Sequence, residues 1–203
     1  MDIWSYLAEH FDLPILEWIA QTLRCGFLDK VMPIITLFGD DGIFWIACSV
    51  VLMLIPKCRK AGFSMGLALL MGLIVCNITL KPLVGRIRPY DYQLEHFGNK
   101  IPLLVESMHD FSFPSGHTIA SFEAATALLI HNKKLGTPAM ILAVLIAFSR
   151  LYLYVHYPTD VLASVVLGIG LAFLAAFLVA KGYKLYEVRK NAKTAWSDFN
   201  DLP

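Results

Sequence analysis

The chain has 203 residues, of which 57% are hydrophobic and only 16% charged, with a mean hydropathy of +0.61. A soluble domain carries about 25% charged residues, and disordered chains are richer still in charge, so both classes are excluded. A net charge of +1 offers no electrostatic footprint for nucleic acid, and what remains is a small integral membrane protein.

The first 40 residues hold two apolar pieces. Leu13–Leu23 is interrupted by Glu17 and Gln21, and Phe27–Phe38 by Asp29, Lys30 and Pro33. The pattern predicts two amphipathic helices lying at the membrane interface, hinged near Gly26. One tilted sixth span is the alternative. The opening Met1-Asp2-Ile3-Trp4 is acidic and lacks the basic start of a cleavable signal peptide.

Five apolar segments follow, at roughly 41–56, 62–80, 118–131, 137–155 and 159–181. A spanning helix takes about 20 residues, so the second, fourth and fifth fit, and the first and third are short. Asp40 and Asp41 are placed to cap the first span. The expected fold is an all-α polytopic membrane bundle of about five spans, divided into an interfacial segment 1–40, a membrane core 41–181 and a polar cytoplasmic tail 182–203. Cys25, Cys48, Cys58 and Cys76 show no metal-ligand spacing and read as free buried thiols.

Basic residues set the orientation. Lys57, Arg59 and Lys60 follow the first span, Lys133 and Lys134 the third, and Lys181, Lys184, Arg189, Lys190 and Lys193 the fifth. Alternating spans put all three groups on one side, which the positive-inside rule makes cytoplasmic. Residues 81–117 and the turn near 156–158 then face outward. That side also carries Lys81, Arg86, Arg88 and Arg150 at span ends. Such cations are costly without an anion, and few carboxylates lie nearby in sequence, so a ligand is expected to supply it.

Three stretches meet on this outward side: Lys81-x6-Arg88-Pro89, Pro114-Ser115-Gly116-His117, and Ser149-Arg150-x5-His156-x3-Asp160. Ser115 is a good N-cap for the third span, and the amides after it lack helical partners. With Lys81, Arg88 and Arg150 they form a cradle suited to phosphate oxygens. Asp160, four residues after His156, can orient that imidazole and leave its other nitrogen free to attack. His117 is a second imidazole, able to protonate a leaving oxygen. The set describes phosphoryl transfer through a phosphohistidine. Glu123 lies six residues past His117 and should face the bundle. Asn77 lies one turn before Lys81. The carboxylates and histidines of loop 90–112 read as solvated.

These three stretches resemble the signature of the type 2 phosphatidic acid phosphatase superfamily, which includes bacterial lipid phosphatases and vanadium haloperoxidases. The resemblance implies a helical core, no metal or other cofactor, His156 as nucleophile, His117 as general acid, and Lys81, Arg88, Ser115, Gly116 and Arg150 as phosphate ligands. It also implies a lipid phosphate or diphosphate as partner, with undecaprenyl diphosphate favoured and phosphatidylglycerophosphate or phosphatidate as alternatives. A haloperoxidase would not need spanning segments. A lipid binder or scramblase would need no general acid.

Overall fold

The computed structural model describes residues 3–200, with side chains through Ala192. Met1, Asp2 and residues 201–203, where the acidic start and the end of the polar tail fall, lie outside the described residues. Every regular element among the described residues is helical. The chain opens with α1 (Ile3–Leu7), a π-helical turn (Ala8–Asp12) and α2 (Leu13–Thr22). After a break around Gly26 comes α3 (Leu28–Leu37). It is followed by α4 (Ile43–Leu54), α5 (Arg59–Gly72), a π-helical stretch (Leu73–Leu80), α6 (Lys81–Val84) and α7 (Pro89–Phe97). The last three are α8 (Gly116–His131), α9 (Lys133–Tyr152) and α10 (Pro158–Asn200).

Four helical stretches are long and apolar enough to cross a membrane: Leu28–Leu54, Pro56–Phe97, Lys133–Tyr152 and Pro158–Ala192. The first joins α3 to α4, taking in residues 28–40 that sequence reading assigns to the interface. Pro33 does not interrupt α3, since a proline removes a single backbone bond and the apolar face around it still packs on α9. The path kinks at Asp40–Gly42, where Asp41 and Gly42 have φ of 49° and 66°. Neither aspartate caps α4, whose N-cap is Gly42. Asp40 is engaged elsewhere.

At 16 residues α8 is shorter than a usual span, and it is the central helix. Its residues Ala124, Ala125 and Ala127 are fully buried, with Ser121 and Thr118 beside them, and such small side chains let α5, α9 and α10 approach closely. A helix buried all round shows no amphipathic stripe, which is why sequence periodicity gives it no face.

The N-terminal helices pack against the end of the bundle that carries α7 and the α9–α10 turn. Ala8, Leu13, Leu16 and Ile19 bury against Tyr90, Tyr92 and Tyr152–Tyr157. At the opposite end, Lys57, Arg59 and Lys60 line one cavity with His131, Asn132 and Tyr183. Lys60 lies 5.1 Å from the Tyr183 ring, so the basic turns converge there. The four cysteines are free, but only Cys76 is buried; Cys25 is exposed.

Candidate active site

Helix ends deliver the polar residues to one place. Arg88 precedes Pro89, which forces it into extended backbone (φ −77°, ψ 156°) and starts α7 at once. Ser115 caps α8 by accepting the Thr118 amide, as its sequence position predicts. Pro158 opens α10, and Asp160 in the first turn accepts the Tyr157 amide at 3.0 Å.

A cavity of about 800 Å³ is walled at this end by Lys81, Arg88, Asp110, Gly116, His117 and His156. Ser115, Arg150 and Asp160 are fully buried behind that wall. Arg88 is the hub. It donates to the Asp110 carbonyl (2.9 Å) and carboxylate (2.5 Å) and to the Val155 carbonyl (2.7 Å), and its Nη1 lies 3.4 Å from His156 Nε2. Lys81 also pairs with the Asp110 carboxylate. Arg150 donates to Thr36 and the Met108 sulfur, has no carboxylate partner among the described residues, and keeps a buried Nε without an acceptor.

The expectation that few carboxylates lie near these cations, and that a ligand supplies their anion, needs correcting. Arg86 is not waiting for a ligand. It is buried between Asp12 (2.7 Å) and Asp160 (2.5 Å), with its guanidinium 3.7 Å from the Tyr157 ring centre. Asp12 also accepts from the Thr159 amide and hydroxyl. Asp110, in a loop read as solvated, holds Lys81 and Arg88. Partial burial pushes the Asp110 carboxyl up, but the bonds and charges of those two cations outweigh it and hold the group down at about 2. This one carboxylate occupies both cations.

His156 lies in the turn between α9 and α10 and is 1% exposed. Burial, then the nearby Arg88 and Arg150 charges, push its imidazole well below the usual histidine range, so it is a neutral ring near pH 7. Its Nε2 faces the cavity end marked by Arg88, and its Nδ1 lies 3.6 Å from Asp160 Oδ2. That is beyond hydrogen-bond reach, and Nδ1 has no other partner. Asp160 is instead held by Arg86, Ser112 and the Tyr157 amide.

His117 Nε2 lies 2.6 Å from Asp40 Oδ1. Gly39 makes room for the ring, because a Cβ there would sit 2.7 Å from His117 Cδ2. Asp12, Asp40 and Asp110 are thus the site carboxylates that sequence reading missed. Each is far in the chain from its partner motif, and no local spacing marks it.

The family model of the PAP2 superfamily matches residues 61–183, and the chain belongs to that superfamily. A curated undecaprenyl-diphosphatase of Sulfolobus acidocaldarius is 30% identical over 156 residues, 76% of this chain and 72% of the relative. The structure of Aquifex aeolicus LpxE superposes with a TM-score of 0.69 at 25% identity, over 81% of this chain and 93% of that one. A transmembrane PAP2-type phosphatidylglycerolphosphate phosphatase from Bacillus subtilis gives 0.63 at 29%, over 88% and 92%. The protein is a multi-pass membrane phosphatase.

Proposed function

We propose that the protein hydrolyses the terminal phosphate of a lipid diphosphate, with undecaprenyl diphosphate the favoured substrate, through a phosphohistidine on His156. The observation that carries this reading is the neutral, buried His156, whose Nε2 shares a cavity wall with Lys81, Arg88 and the α8 N-terminus. The substrate preference rests on the undecaprenyl-diphosphatase relative.

In this reading the phosphoryl group displaces Asp110 from Lys81 and Arg88 and takes bonds from them, from Arg150 and from the amides after Ser115. Nε2 of His156 attacks phosphorus as the bond to the leaving oxygen breaks. Burial and the Arg150 charge hold the His117 ring down at about 4, against the pull of Asp40, so it takes up a proton as the phosphate anion enters beside it and then gives that proton to the leaving oxygen. Water then attacks the phosphohistidine, His117 takes its proton, and phosphate leaves. Asp160 closes on Nδ1 as positive charge develops on the ring. The cations stabilise charge that spreads over the equatorial oxygens.

Residues 41–181 hold the catalytic membrane core; of the N-terminal segment, α3 runs into the first spanning stretch while α1 and α2 pack over the site end, and the tail from 182 carries no site residue. The end bearing the three basic turns is cytoplasmic, and the site faces outward.

A phosphate-release panel on purified protein in detergent, with undecaprenyl diphosphate, phosphatidylglycerophosphate and phosphatidate, tests this. The highest kcat/KM should fall on undecaprenyl diphosphate. Release from none of the three contradicts an enzymatic role and favours a lipid binder.

A further inference from the structure

The cavity does not end at the phosphate cradle. From His117 it continues along α8 between α4 and α5, where Ile46, Val50, Leu70 and Leu73 form its rim. Each of these is about half exposed, as lipid-facing side chains would be. This apolar trough suits a hydrocarbon chain leaving the headgroup. One residue in it does not suit hydrocarbon. Glu123, on α8, is 1% exposed, lines the trough, and has an Oε2 with no hydrogen-bond partner.

Its position is built for it. The carboxyl lies against Gly72 of α5, where an added Cβ would overlap both of its oxygens. The other charged residues lining the cavity belong to its headgroup end: Asp40 on His117 with Asp41 beside it, and Lys81 and Arg88 on Asp110. No cation among the described residues pairs with Glu123. A bare carboxylate here would be far more costly than the protonated acid, which both donates and accepts.

Glu123 is six residues beyond His117 on one helix, about 9 Å along the axis at 1.5 Å per residue. Past its two phosphates a polyprenyl diphosphate presents only hydrocarbon. A phosphorylated glycerolipid presents ester or hydroxyl oxygens there.

We infer that Glu123 is a specificity-determining residue. Its carboxyl hydrogen-bonds an ester or hydroxyl oxygen of the lipid that lies in the trough beyond the headgroup, so oxygen-bearing lipid phosphates are accepted beside polyprenyl diphosphates. This rests on the lipid phosphatase reading above. An unpaired buried acid and a glycine cleared for it have no use in a trough that holds hydrocarbon alone.

The test is the ratio of kcat/KM on phosphatidylglycerophosphate to kcat/KM on undecaprenyl diphosphate. Glu123→Met, which fills the space without a hydrogen bond, should lower the ratio roughly threefold to tenfold, as loss of one hydrogen bond does, and mainly through KM on the glycerolipid. Glu123→Gln, which still donates and accepts, should stay within about twofold of the parent ratio. Gly72→Ala pushes the carboxyl aside without deleting it and should lower the ratio as Glu123→Met does. It also supplies the measurement if Glu123→Met does not fold. An unchanged ratio in Glu123→Met and Gly72→Ala, or an equal fall in Glu123→Gln, overturns the inference while leaving the phosphatase reading intact. No release from either lipid by the parent chain overturns that reading, and the inference with it.

Discussion

His156 and His117 have different partners, Arg88 beside one and Asp40 on the other, and in the proposed reaction their variants should fail differently. His156→Ala removes the proposed nucleophile, so no leaving group should restore its turnover. His117→Ala removes the proton for the leaving oxygen, a contribution of roughly 10²–10⁴-fold that a nitrophenolate needs far less than a lipid oxygen does. Turnover on a lipid phosphate and on nitrophenyl phosphate should therefore rescue His117→Ala and not His156→Ala. Asp40→Asn should share the rescue pattern in milder form, because Asp40 acts through His117. Rescue of His156→Ala instead would reverse the two roles. Asp110 makes a separate prediction in pH. Its folded-state value of about 2 is depressed from the ordinary 3.8. The stabilisation it gives is therefore present above pH 4 and lost as pH falls toward 2. The gap in thermal midpoint between the parent and Asp110→Asn should be constant above about pH 5 and should shrink below about pH 4. A gap that persists undiminished near pH 2.5 contradicts the assignment.

The N-terminal helices are part of the site's scaffold because of one carboxylate. Asp12, fully buried, joins the π-helical turn before α2 to Arg86 and to Thr159 at the start of α10. Removing one partner of a buried ion pair leaves an uncompensated charge. With Asp160 still beside Arg86, Asp12→Ala should cost about 3 kcal/mol, the lower end of the range for such losses. Unfolding in detergent micelles measures it, and a loss below about 1 kcal/mol, the size of an ordinary exposed pair, would contradict the buried-network account. The same residue shows where sequence reading stops. The α8 cap, the α10 start and the three motifs are legible because each depends on residues within a few positions of one another. Asp12, Asp40 and Asp110 are not, since their partners lie 74, 77, and 29 and 22 residues away. Arg86 reads as a ligand-seeking cation for that reason. The joining of α3 to α4 was hidden by the polar Asp40-Asp41-Gly42 kink, which sequence alone reads as a span boundary.

Across the whole molecule, the histidines and arginines of the candidate site are gathered at one end of the bundle and the Lys57–Lys60 turn lies at the other. A reporter fused at Lys133 should read cytoplasmic and a tag at Asn99 external, and the reverse would remove the outward-facing site. The central claim is that His156 carries the phosphoryl group. The most direct measurement is rapid quenching of the parent protein with undecaprenyl diphosphate labelled with ³²P in its terminal phosphate, followed by peptide mapping in alkali, where phosphohistidine survives. The account predicts label on the peptide containing His156, chased by unlabelled substrate, and none in His156→Ala. Steady turnover with no trapped label under any quench, or label on another residue, would contradict it.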